Sequence, residues 1–245
     1  GVVRPRPVSS NRFPGGVPGE GRPAAERCAD ESVRAVVVTG NGRAFCAGGD
    51  LGAFADTSDP RALLKSITVE LHAAQVAFAT LDAPVLAAVN GTAAGAGMSL
   101  ACSCDLVLAA DSAKFTMAYT GAGLAADGGS TFYLPRLIGL RRTQELIFTN
   151  RVLAADEALE WQLVNRVVAA DALQAESMAL AAQLAAGPTR AFGAVKRTLL
   201  ASAARDLAAQ LDLEGDEISE MSATRDGQEG IHAFLEKRKP SFVGE

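Results

Sequence analysis

Asp127 stands in Leu124-Ala125-Ala126-Asp127-Gly128-Gly129-Ser130-Thr131, among small and apolar neighbours and with no cation close in sequence. A carboxyl group in such surroundings is predicted to be poorly hydrated, which raises its pKa and suits it to carry a proton near neutral pH. Asp before Gly-Gly is equally ordinary turn or helix-cap chemistry, here feeding a helix over 130–137. Taken alone, the segment leaves both readings open.

Two glycine-rich segments upstream shift the weight towards chemistry. Arg43-Ala44-Phe45-Cys46-Ala47-Gly48-Gly49-Asp50-Leu51 follows the strand-like run 34–40, which reads Arg-Ala-Val-Val-Val-Thr-Gly. A second β-rich run, from Pro84 to Val89, continues into Asn90-Gly91-Thr92-Ala93-Ala94-Gly95-Ala96-Gly97 and then an apolar helical stretch. Small residues let a ligand approach the backbone, and N–H groups at a helix start have no intrahelical partner. Two such groups converging on one carbonyl make an oxyanion hole.

These segments, with Cys104-Asp105-Leu106, Asp111-Ser112-Ala113-Lys114-Phe115, Gly139-Leu140-Arg141-Arg142 and the tail Phe234-Leu235-Glu236-Lys237-Arg238-Lys239, make the chain resemble the crotonase superfamily, the enoyl-CoA hydratase/isomerase family, from about Arg27 to Glu245. The resemblance implies an α/β fold, a crotonase-like spiral of ββα turns with a helical C-terminal region that mediates trimer formation. It implies an acyl-CoA substrate whose thioester oxygen lies between the backbone N–H groups of Gly49 and Ala96. Coenzyme A is then part of the substrate, and no separate cofactor is expected. Ala47, Gly48, Asp50, Leu51, Ala94, Tyr119, Gly123 and Leu124 fall at substrate-binding places, with the acyl pocket after Leu51 and around Tyr119. Lys237 and Lys239 are candidates for the CoA phosphates, although a basic run there could equally be a solvated helix end.

Enoyl-CoA hydratases of the family work with two glutamates; the matching positions here hold Ser99 and Tyr119. Asp127 falls where several isomerases, including the ring-epoxide phenylacetyl-CoA type, carry an acid/base aspartate. The resemblance therefore implies double-bond isomerisation with Asp127 as proton shuttle. Alternatives are hydration without the glutamate pair, aryl-CoA dehalogenase-type hydrolysis using Asp127 with His72, and a non-catalytic acyl-CoA-binding subunit. Aryl-CoA dehalogenases grip a flat ring with several aromatic side chains, and the comparable places here hold Gly49, Leu71 and Tyr119. His72, in the helical stretch 67–75, is thus expected to be structural or supporting rather than a base.

The elements that must position these groups read as alternating strands and helices up to about Leu140, then mostly helix. Helices are predicted over 60–81, 141–150, 154–161, 171–186, 188–204, 205–221 and 226–237, and a β-prone run over 163–168. Three segments result: an atypical stretch 1–26, a spiral core 27–190 and a helical region 191–245. Residues 4–23 hold five prolines and four glycines, which sustain neither a helix nor a central strand. The family's first strand, Asn-Arg-Pro turn and helix are not recognisable there. The Arg/Pro/Gly/Ser composition and preserved length fit a locally mis-framed translation restored near Ala24; the alternative is a genuine loop that weakens CoA binding.

A chain of 245 residues with 49% hydrophobic content can bury a substantial core. A net charge of −5 gives no electrostatic footprint for nucleic acid. No apolar run has membrane-spanning length and no signal peptide opens the chain, so a cytoplasmic protein is expected; the resemblance implies a homotrimer or dimer of trimers. Cys28, Cys46, Cys102 and Cys104 lack zinc-ligand spacing and, with only His72 and His232 to join them, are expected to be reduced thiols rather than a metal site.

Overall fold

The computed structural model describes residues 2–3, 30 and 32–245; the segment 4–23, its reading-frame interpretation and Cys28 lie outside the described residues. The strands fall into two sheets. β1 (Val2–Val3), β2 (Ala35–Thr39), β4 (Val85–Val89), β6 (Leu106–Ala110) and β9 (Arg166–Val168) form an all-parallel sheet in the order β1-β2-β4-β6-β9. β3 (Ala44–Cys46), β5 (Thr92–Ala94), β7 (Lys114–Thr116) and β8 (Leu153–Ala154) form the second, parallel except for the β7–β8 pair. Successive pairs β2–β3, β4–β5 and β6–β7 each give one strand to each sheet, which is the spiral of ββα turns.

Strand composition follows from burial. Ala-Val-Val-Val of β2 and Val-Leu-Ala-Ala-Val of β4 are buried residue by residue, so neither alternates polar and apolar positions. Parallel strands covered on both faces read this way. The register sets Val36 beside Val85 and Leu86 beside Leu106.

Helices α1 (Leu51–Asp56) and α2 (Pro60–Thr80) connect β3 to β4. Each begins at an aspartate cap: Asp50 accepts from Gly52 N at 3.0 Å, and Asp59 from Ala62 N at 3.0 Å with Pro60 in the first turn. α3 (Ala96–Ser103) follows β5, and α4 (Ser130–Leu137), α5 (Gly139–Thr149) and α6 (Ala155–Glu160) precede β9. The C-terminal part is α7 (Leu173–Ala185), α8 (Thr189–Ala201), α9 (Leu207–Ala223) and α10 (Arg225–Leu235). The predicted helices are all present, with ends shifted by up to three residues; the β-prone run shortens to β9, because 163–165 leave the preceding helix before the chain becomes extended. Ahead of the segment 4–23, Val2–Val3 pairs in parallel with Ala35–Val36.

One buried cation ties the C-terminal helices to the core. Lys196 of α8 pairs with Asp105 at 2.7 Å and donates to the carbonyls of Phe78 (2.8 Å) and Ala83 (3.2 Å). Among the described residues no helix is long and apolar enough to cross a membrane.

Candidate active site

The two glycine segments meet. Gly48 is buried with φ +92°, a region open to glycine at no steric cost, and a Cβ there would lie 3.0 Å from the Ala94 carbonyl and 3.7 Å from the Ala96 nitrogen. The Gly48-Gly49 turn therefore closes directly on the start of α3. Ala96 is the first residue of that helix, so its N–H has no acceptor within it. The preceding Gly95 carries no side-chain cap and is fixed by its N–H to the Thr116 carbonyl at 3.0 Å. Around this junction Ala47 is exposed, Ala94 is half-buried at the end of β5, Leu51 is exposed on α1, and the carboxylate of Asp50 is engaged in capping α1. The ring of Phe54, which the sequence did not single out, packs against Gly49. Burial raises the pKa of the Cys46 thiol in this turn and pushes that of Cys102 up to about 12, as suits inert buried cysteines.

One helical turn into α3, Ser99 is fully buried. Its hydroxyl lies 2.8 Å from the Asp127 carbonyl, 3.2 Å from the Gly95 carbonyl and 3.3 Å from the Tyr119 hydroxyl. Ser99 and Tyr119 thus present two hydroxyls within hydrogen-bond distance of each other. Burial pushes the Tyr119 phenol up to about 12; the Ser99 hydrogen bond offsets part of this, and the Asp127 charge adds to it. Tyr119 leads into a turn through exposed Gly123 and half-buried Leu124, whose N–H returns to the Tyr119 carbonyl at 3.0 Å.

Asp127 fits neither of its two sequence readings in full. Its carboxylate caps nothing: α4 starts after Gly129, without a side-chain cap. It is the Asp127 backbone carbonyl that is held, by the hydroxyls of Ser99 (2.8 Å) and Ser130 (2.9 Å). Nor is the carboxylate shut away from water, because its side chain is 35% exposed and Oδ1 lies 2.9 Å from His72 Nε2. The absent cation in sequence is replaced in space by an imidazole from α2. A carboxylate accepts only, so a neutral His72 must carry its proton on Nε2.

Gln75, one turn further along α2, escaped the sequence reading. Its buried side-chain amide donates to the Gly128 carbonyl at 2.8 Å. The i, i+3 spacing from His72 in a helical stretch was the available signal. Lys237 and Lys239 are exposed just past α10.

The family model described as enoyl-CoA hydratase/isomerase matches residues 5–245. A 1,2-epoxyphenylacetyl-CoA isomerase of Escherichia coli K12 is 40% identical over 88% of this chain and 83% of its own length. A 4-chlorobenzoyl coenzyme A dehalogenase of an Arthrobacter species is 41% identical over 69% of this chain and 62% of its own. The crystal structure of an enoyl-CoA hydratase from Polaromonas sp. JS666 superposes with a TM-score of 0.89 at 32% identity, covering 99% of this chain and 95% of that one. The match along nearly the whole sequence and the shared spiral of ββα turns agree: the chain is an enzyme of the enoyl-CoA hydratase/isomerase family.

Proposed function

We propose that the protein isomerises the double bond of an enoyl-CoA, with Asp127 as the proton shuttle and the N–H groups of Gly49 and Ala96 as donors to the thioester oxygen. The observation that carries this reading is the partly open carboxylate of Asp127 beside a Ser99–Tyr119 hydroxyl pair. Asp127 removes a proton from the α-carbon, between the thioester carbonyl and the β,γ double bond, the negative charge spreads onto the thioester oxygen, and the same carboxyl returns the proton to the γ-carbon of the bound dienolate, leaving the double bond conjugated with the thioester. No water is consumed. Donors aimed at the oxyanion lower the barrier because they need no reorientation as charge develops. His72 holds one carboxylate oxygen and leaves the other for the substrate. Exposed apolar residues on α9 and α10, among them Leu207, Ile218 and Phe234, support assembly into the expected homotrimer.

Dehalogenase-type hydrolysis is the second reading, supported by the His72–Asp127 contact and by the relative that carries that name. There Asp127 would attack the halogen-bearing ring carbon, the halide would leave from that carbon, and His72 would activate the water that cleaves the resulting aryl ester. With Nε2 committed to Asp127 in the resting enzyme, the proton shuttle is the simpler use of the pair. Ultraviolet absorbance with a 3-enoyl-CoA and a 2-enoyl-CoA tests the proposal. New conjugation from the 3-enoyl substrate is expected; loss of conjugation from the 2-enoyl substrate alone would mean hydration, and halide release from a 4-halobenzoyl-CoA would favour the second reading. No reaction with any of them would leave an acyl-CoA binder.

A further inference from the structure

α2 delivers two polar side chains to one turn. His72 meets the Asp127 carboxylate at 2.9 Å and Gln75 meets the Gly128 carbonyl at 2.8 Å. Residues three apart lie on one face of a helix, so a single rigid element holds both the side chain and the backbone of this turn. Gln75 is buried, between Leu71 and Phe78 in the run of buried positions on α2. An apolar residue would fill such a place in a helix whose only task was packing, because an amide buried without a partner costs about 1–3 kcal/mol. The turn also fits without slack. Gly128 has φ +64°, and a Cβ there would lie 2.8 Å from Ser99 Cβ and 3.6 Å from the Gln75 amide nitrogen. Ser99, from α3, holds the adjoining Asp127 carbonyl at 2.8 Å. The Asp127–Gly128 backbone is therefore clamped from two helices, while its carboxylate stays partly open to solvent.

We infer that Gln75 is a positioning residue: its amide fixes the Gly128 peptide and so aims the Asp127 carboxylate at His72 and at the substrate. This rests on the proton-shuttle reading for its kinetic consequence, but not for its structural one. Gln75 touches no reacting atom. Its effect passes through the orientation of Asp127, where a displacement of about 1 Å can cost on the order of 10²-fold in rate.

The test is Gln75→Met, which keeps the volume and removes the donor. In a variant with parental circular dichroism, kcat for isomerisation is expected to fall at least about tenfold while KM stays within about threefold, the pattern of a lost transition-state contribution. A second readout is independent of the reaction. The chain has two histidines, so nitrogen NMR of the imidazoles, assigned with His232→Gln, reports the neutral tautomer of His72. In the parent that ring is expected as the Nε2–H form. In Asp127→Asn and in Gln75→Met it is expected to relax to the mixture of a solvated imidazole. A folded Gln75→Met with kcat within about twofold of the parent, or with the parental tautomer, overturns the inference. Should Gln75→Met not fold, Gln75→Asn keeps an amide in the core but falls one methylene short of Gly128, and the same two readouts decide. If Asp127→Asn retains parental turnover, the proton-shuttle reading fails, while the tautomer comparison still decides the role of Gln75.

Discussion

His72 and Asp127 are 55 residues apart in sequence and 2.9 Å apart in space. The contact joins the middle of α2 to the loop before α4, so it exists only when the spiral has closed. It also divides the labour at the carboxylate: one oxygen is held by the imidazole, and the side chain remains open enough to meet a substrate.

Asp127→Asn keeps the shape and deletes the base. General acid–base catalysis contributes roughly 10²–10⁴-fold, so isomerase turnover is expected to fall by at least that lower bound with little change in acyl-CoA affinity. His72→Gln retains a donor for the carboxylate and should cost less, on the order of tenfold. Steady-state kinetics with titration calorimetry of a product CoA ester check both; near-parental turnover in Asp127→Asn would remove the residue from the mechanism.

Ala96 is the first residue of α3, a position where proline is tolerated. Ala96→Pro therefore deletes the N–H without breaking the helix. Loss of one oxyanion donor costs on the order of 10²–10³ in turnover. A folded Ala96→Pro enzyme that turns over within about threefold of the parent excludes Ala96 as a donor.

Gly128→Ala forces a side chain into a left-handed backbone conformation and against Ser99 Cβ at 2.8 Å. The backbone part alone is expected to cost about 1–2 kcal/mol. Adding Ser99→Gly should relieve the clash but not the backbone cost. Urea denaturation of both single variants and the double variant measures the coupling; strict additivity would contradict the packing described here.

Tyr119 provides a pH test. Its pKa rises from the ordinary phenol value of 10.0 to about 12 in the folded chain, chiefly through burial. The unfolded chain thus loses this proton first, so the stability contributed by the protonated phenol is complete below pH 10.0 and is lost as pH rises towards about 12. The urea midpoint should decline across that window, and less steeply in Tyr119→Phe. An equal decline in both proteins would show that Tyr119 is solvated.

Lys196→Met should uncouple the C-terminal helices. It leaves Asp105, whose pKa burial already raises, without its cation, and frees the carbonyls of Phe78 and Ala83. Removing one partner of a buried pair costs roughly 3–5 kcal/mol, with the low end apt for a carboxylate that is 27% exposed. Chemical denaturation measures the loss, and a change below about 0.5 kcal/mol would place the pair with solvated surface pairs.

Much of the fold was legible because its signals are local. Unbroken Val/Ala/Leu runs mark β2 and β4, Asp59-Pro60 marks the start of α2, and Gly187-Pro188 separates α7 from α8. The glycine turns were legible too, since their backbone conformations restrict which residues can stand there. Asp127 could be singled out but not understood from its neighbours. Ala and Gly beside it suggested a dehydrated acid, whereas its actual environment comes from α2 and α3. Gln75 was missed because a polar residue in a helix reads as surface until the helix is packed.

By itself, then, the sequence determined the order of strands and helices, the two glycine turns and the presence of one candidate acid. Backbone propensity and hydrophobic patterning act over a few residues and are written in consecutive letters. The tertiary structure alone decided which hydroxyls, amide and imidazole surround that acid. Apart from that of the adjoining Ser130, those contacts join residues 28 to 55 positions apart, and hydrogen bonds, with a reach of about 3 Å, form only after the spiral has brought their partners together.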